Sequence, residues 1–213
     1  MITDQLIQQQ FRELVFKFNK LVLEKRMDGE WQISGILGFT GDYSGKLIED
    51  EYSILITLSK DYPQKPPQAW ETGNRIPSGF HKYTNGLLCL GAPLAVIATF
   101  YEEPTLSGFV HNCLIPYLYS YSFYSLYGSF PFGELSHGPK GIYDYYKELF
   151  HVEENRAILK LIRILAEDNY RGHLPCACGS GKRLRSCHGP QLRKIKLLQS
   201  PLDFLEEYKL LSR

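Results

Sequence analysis

The chain has 213 residues, 44% hydrophobic and 22% charged, so it buries a real core and falls outside the disordered class. Its net charge of +1 argues against a dedicated nucleic-acid binder, and five cysteines, an odd number, exclude a fully paired secreted framework. The charge is split: residues 1–170 carry 15 basic and 20 acidic side chains, and residues 171–213 carry 9 and 3, an acidic body with a basic tail.

The first ten residues lack a basic n-region and an apolar h-region, so no signal peptide is expected, and the protein is placed in the cytoplasm. Residues 3–26 read as an amphipathic helix with Thr3 as N-cap, because Ile7, Phe11, Leu14, Val15, Phe18, Leu21 and Val22 recur at helical spacing. Trp31, Ile33, Gly35, Leu37 and Phe39 alternate as a strand. Gly41 to Gly45 read as a turn, and Tyr52, Ile54, Ile56 and Leu58 alternate again. A short strand is expected over Gln68–Trp70. Residues 62–93 are irregular, with five prolines, and irregular segments on a rigid sheet are where sites tend to sit.

Between Lys82 and Glu134 only Glu102 and Glu103 are charged, but Gly, Pro, Ser and Tyr interrupt the stretch too often for a membrane span. A helix is expected from Thr105 to about Tyr127, kinked or shortened by Pro116. Further helices are expected over Ile142–Phe150 and Asn155–Asp168, and a last one from Pro201.

Residues 175–190 form a compact Cys-rich knot. Cys176, Cys178, Cys187 and His188 are four donors within thirteen residues, and Cys₃His is a standard structural zinc set. Gly179 and Gly181 permit the tight reversal, and Lys182, Arg183 and Arg185 offset the thiolate charge. The alternative is a disulfide with a stray thiol, which cytosolic redox conditions disfavour. The stretch resembles the SEC-C motif, a short zinc module appended to many proteins as a docking or stabilising piece. The implied cofactor is one structural zinc in a closed site, with no open position for catalysis.

A second pattern runs Tyr62-Pro63-Gln64-Lys65-Pro66-Pro67, then His81, then Asn85-Gly86-Leu87-Leu88-Cys89-Leu90. With the helix before it and the meander leading into it, this order resembles the ubiquitin-conjugating-enzyme (UBC) family over roughly residues 3–130. The family carries a Tyr-Pro…Pro-Pro flap, a His-Pro-Asn motif and an active-site Cys followed by Leu. Here His-Pro-Asn is absent, and the chain reads Phe80-His81-Lys82-Tyr83-Thr84-Asn85. Either His81 or Asn85 takes the place of the oxyanion-stabilising asparagine, and the sequence leaves the choice open.

The block Gly133-Glu134-Leu135-Ser136-His137-Gly138, followed by Gly141 to Tyr146, resembles bacterial UBC-like proteins with a C-terminal SEC-C knot. Those are typically encoded beside a cGAS-like (CD-NTase) nucleotidyltransferase in short type II CBASS antiphage operons. The resemblance implies an α+β, UBC-like fold: an N-terminal helix, a four-stranded antiparallel meander, C-terminal helices and a small zinc knot. The expected organisation is a conjugating domain over 1–150, a connecting helix over 151–172, and the zinc motif with the last helix over 173–213.

The implied activity is that of a cysteine-dependent transferase. Cys89 carries a thioester to the C-terminus of a partner protein, the nucleotidyltransferase. His81, Asn85 or nearby backbone amides face the oxyanion, and His137, oriented by Glu134, acts as acid or base. The chain shows no Gly-rich adenylate-forming module, so either a separate activating enzyme exists or the partner arrives by another route. Each residue has a plainer reading: Cys89 within Leu87–Leu90 as core, Cys113 as a buried helix thiol, the tyrosines of 117–127 as packing. Two other functions stand beside the enzyme. One is an inactive UBC-fold docking module. The other, resting only on the +6 tail, is a nucleic-acid-binding zinc protein.

Overall fold

The computed structural model describes residues 2–133, 136 and 138–213. Helix α1, Ile2–Lys17, buries Ile7, Gln10 and Leu14 on one face. The expected Thr3 cap lies outside the described side chains. The helix is shorter than the sequence suggests, because Leu21–Lys25 form strand β1 instead. Leu21 is buried, Val22 is exposed and Leu23 packs on the core, so this segment follows the period of two, not 3.6.

Strand β1 pairs antiparallel with β2, Trp31–Tyr43, which pairs antiparallel with β3, Lys46–Leu58. Strand β3 pairs antiparallel with β4, Gln68–Glu71, giving one four-stranded sheet in the order β1-β2-β3-β4. The β2–β3 pairing runs from Trp31↔Leu58 to Tyr43↔Lys46, longer than the alternation of apolar residues alone implies. Gly41 and Asp42 are strand residues, and the turn is only Ser44-Gly45, both at positive φ, the two-residue hairpin geometry that matches strand twist. Gly41 is small for a reason of packing: a Cβ there would lie 2.6 Å from the Tyr119 ring.

Helix α2, Pro93–Glu102, was not evident in the sequence, although a proline suits a first helical position. The helical stretch from Leu106 to Tyr127 has three parts: α3, Leu106–Phe109; a π-helical turn, Val110–Leu114; and α4, Ile115–Tyr127. Thr105 caps α3, its Oγ1 accepting from Gly108 N–H at 2.9 Å. Pro116 does not break the path. It falls in the first turn of α4, directly after the π turn, where its missing N–H is tolerated.

Two compact units result, Met1–Leu90 with Val96–Glu134 and Gly91–Ala95 with Leu135–Arg213. The first has the sheet, α1, α3 and α4 around a core that includes Ile33, Leu37, Ile54, Ile56, Phe109 and Leu118. Asp50 and Arg75 brace its surface: Arg75 Nη1 donates to Asp50 Oδ1 at 2.8 Å, and Ser122 Oγ donates to Asp50 Oδ2 at 2.7 Å. Burial works against the Asp50 carboxylate, but the bonds from Arg75, Ser122 and the Glu51 amide hold its pKa at about 2.

The second unit has α5, Gly138–Phe150; α6, Asn155–Ala166; a 3₁₀ turn, Leu184–Ser186; α7, Gly189–Ile195; and α8, Pro201–Leu211. Ser200 and Asp203 form a reciprocal capping box at the start of α8. Tyr146, Phe150, Leu161, Ile162 and Phe204 are at its core. Among the described residues no helix is long and apolar enough to cross a membrane.

Gly35 is the residue on which the β1–β2 pairing depends most sharply. It sits at φ +135, and a Cβ there would lie 2.2 Å from the Lys20 carbonyl oxygen. Gly35→Ala is expected to cost about 2 kcal/mol or more, seen as a lower urea midpoint at unchanged slope. Gly38→Ala in the same strand, with its nearest neighbour at 3.8 Å, is expected to stay within about 0.5 kcal/mol.

Candidate functional site

The segment after β4 folds back as a small hairpin. Lys82 bridges Leu88, Tyr83 N–H donates to Leu87 O at 2.9 Å, and Gly86 turns the chain at φ +82. The hairpin covers the edge of β4: Leu87 bridges Trp70, and Leu88 N–H donates to Ala69 O at 2.9 Å. Leu88 is thereby buried in the core, and Cys89, the next residue, is half-buried. Alternation along an extended chain accounts for that difference.

Cys89 stands directly across from His81, since Cys89 N–H donates to His81 O at 2.8 Å. His81 is buried and takes φ +35, which non-glycine residues rarely adopt. Its ring lies edge-on to Phe80 at 5.2 Å and to Phe130 at 6.4 Å. The structure therefore brings together Cys89 and His81. Asn85 is elsewhere, exposed at the hairpin tip, and its Oδ1 accepts from Leu87 N–H at 3.1 Å. That bond occupies the side chain in shaping the turn. His137 and Glu134, the expected acid–base pair, lie outside the described residues.

Two tyrosines belong to this site and were missed. Burial, then a hydrogen bond with Cys89 and the charge of its thiolate, push the Tyr83 phenol up to about 12. Tyr117 of α4 is also pushed up, first by burial and then by the Cys89 charge. In the sequence, Tyr83 was one more aromatic between His81 and Asn85, and Tyr117 one of a cluster with a packing explanation. Lys82 and Glu71 hold the outer arm of the hairpin. Glu71 accepts from Arg75 and Ile76 N–H at 3.2 Å each, and Lys82 Nζ stands 3.6 Å from its carboxylate and 3.0 Å from Ile76 O.

The remaining candidate side chains have structural settings. Cys113 is buried on the π turn, and burial raises its thiol to about 11. His111 contacts Ser107 O through Nδ1 at 2.8 Å and Lys17 Nζ through Nε2 at 2.7 Å. Of the tyrosines of α4, Tyr119 donates to Lys46 O and Tyr121 to Arg75 O, while Tyr124 and Tyr127 are exposed.

The second cluster is in the C-terminal unit. Cys176 N–H donates to Lys182 O and Leu184 N–H to Leu174 O, closing a knuckle with Gly179 and Gly181 at positive φ. The knuckle brings one ligand atom each from Cys176, Cys178, Cys187 and His188 within 4.8 Å of one another. Cys178 Sγ and Cys187 Sγ are 3.5 Å apart, too far for a disulfide, whose sulfurs stand about 2 Å apart. A tetrahedral ion with metal–sulfur bonds of about 2.3 Å requires sulfur pairs roughly 3.8 Å apart, close to what the cluster has. His188 offers Nδ1, 3.1 Å from Cys176 Sγ and 3.3 Å from Cys187 Sγ, while its Nε2 pairs with Phe150 O at 2.8 Å. That carbonyl selects the tautomer in which Nδ1 has the free lone pair, the usual way a ligating imidazole is oriented. The four residues can hold a metal ion.

No protein-family model matches the chain, and no curated protein or solved structure matches it.

The cluster leads to a direct expectation. Elemental analysis of purified protein should find about one divalent metal per chain, with most of it lost in Cys187→Ala. Acidification should release the metal as thiolates and imidazole take up protons. Protein free of metal at neutral pH, with an unchanged melting temperature after chelation, would contradict the assignment.

Proposed function

We propose that the chain is a UBC-like thioester carrier stiffened by a structural zinc. The observation that carries this reading is the position of Cys89. It is half-exposed at the end of a hairpin on the sheet edge, across from a strained His81, while the other non-cluster thiol, Cys113, is buried. The four-stranded antiparallel sheet between α1 and the Cys89 segment supports the UBC comparison, as does the sequence order of a Tyr-Pro bend before the cysteine.

In the proposed reaction the Cys89 thiolate attacks the activated C-terminal carbonyl of a partner protein. The activating group leaves and a thioester bond forms. An amine then attacks the same carbonyl, the C–S bond breaks, the C–N bond forms, and the amine's proton passes to a base. The developing oxyanion requires a nearby donor. Asn85 stands exposed at the hairpin tip, whereas the His81 backbone is paired with Cys89, so His81 is the favoured of the two for that role. The proposed partner is a cGAS-like nucleotidyltransferase, presenting its C-terminus, in bacterial antiphage defence. Cys176, Cys178, Cys187 and His188 would hold the zinc, which supplies cross-linking rather than chemistry at Cys89.

A second reading is an inactive docking module: the family's His-Pro-Asn is absent, and Asn85, the asparagine of the hairpin, stands exposed at its tip.

The test is adduct trapping with the nucleotidyltransferase and its activating components. Wild type and Cys113→Ser are expected to give a hydroxylamine-sensitive adduct, and Cys89→Ala none. An adduct that survives in Cys89→Ala contradicts the carrier role, and a stable complex with no adduct in any variant favours docking.

A further inference from the structure

The His81 carbonyl oxygen accepts twice. One donor is Cys89 N–H, at 2.8 Å, and the other is the Tyr117 hydroxyl, at 3.1 Å. The same hydroxyl reaches Phe80 O, also at 3.1 Å. Two successive carbonyls thus converge on one phenolic hydrogen in a three-centre arrangement. Successive carbonyls share a donor here because the backbone reverses at His81, at φ +35. Such a conformation in a non-glycine residue costs about 1–3 kcal/mol and persists only where its surroundings over-determine it. The surroundings include the Phe80 and Phe130 rings against the imidazole, the Cys89 amide, and Tyr117.

We propose that Tyr117 is a positioning residue for Cys89. Its buried hydroxyl grips the Phe80–His81 backbone and, through the His81 carbonyl, sets where the thiol stands. The proposal rests on Cys89 being the nucleophile of the proposed function. The ring of Tyr117 packs edge-on to Phe80 at 5.8 Å, and a phenylalanine would do that equally well. The hydroxyl adds the hydrogen bonds from helix α4 to the backbone of the strained turn. Without it, the Phe80 carbonyl loses this donor and the His81 carbonyl keeps the Cys89 amide. Their negative ends, less compensated, then disfavour a thiolate, and the turn is free to relax.

The test is iodoacetamide labelling of the full chain across about pH 6–10, read by mass spectrometry at Cys89 and Cys113 separately. In Tyr117→Phe the Cys89 profile is expected to shift to higher pH, with the rate near pH 7 falling about three- to tenfold. Tyr121→Phe is the control: it lies on the same helix but donates to Arg75 O, and its Cys89 profile should match wild type. Cys113 labelling should stay slow in all three proteins. A wild-type Cys89 profile in Tyr117→Phe overturns the proposal. So does a parallel rise at Cys113, which would make Tyr117 a support of the whole core. If the shift occurs but no variant forms an adduct with the partner, the carrier reading fails and the positioning role stands.

Discussion

The edge of β4 is the constraint on which the candidate site depends. A strand edge offers unpaired backbone groups that another segment can take up. The hairpin of residues 82–88 does so, through Trp70↔Leu87 and the bond from Leu88 N–H to Ala69 O. Pairing fixes register, and a slip of one residue would exchange the faces of Leu88 and Cys89. The Lys82–Glu71 pair secures the same register from the side. Glu71 has no exposed side-chain area, and its carboxylate receives two amide donors besides the ammonium. Removing either partner would leave a buried charge uncompensated.

Helix α4 governs the site from behind. Its tyrosines look in sequence like a sticky surface, yet their hydroxyls mostly find backbone carbonyls of the first unit. Tyr119 ties Lys46, Tyr121 ties Arg75, and Tyr117 ties Phe80 and His81. A tyrosine in such a place supplies buried ring area and one directional donor. That combination explains how an aromatic-rich helix can hold irregular loops without regular hydrogen-bonded structure in them. With an ion bound, the Cys₃His cluster would give the C-terminal unit an equivalent cross-link by another chemistry, and His188 is joined to the Phe150 carbonyl at the end of α5.

The clustering of Cys176, Cys178, Cys187 and His188 was legible in sequence because a metal site needs particular atoms at short spacing, and Gly179 and Gly181 signalled the reversal. The central strands were legible because Ile33, Leu37, Ile54 and Ile56 alternate cleanly. Strand β1 was not, since Leu21, Val22 and Leu23 satisfy a helical stripe and an alternating pattern alike. Only pairing with β2 decides between them. Helix α2 was hidden by the prolines and glycines before it. The role of Asn85 was equally hidden, because its bond to Leu87 N–H depends on the turn and not on composition. Tyr117 is the sharpest case: its contact with His81 spans 36 residues, and nothing local marks it among its neighbours.

The central claim is that the hairpin turns Cys89 outward while the core keeps Cys113. Its most direct measurement is the ratio of thiol labelling rates at these two positions in the native, metal-loaded wild-type protein near neutral pH. Cys89 is expected to react at least about tenfold faster, since a buried thiol raised to about 11 is almost entirely protonated there. Equal rates, or faster labelling of Cys113, would contradict the account.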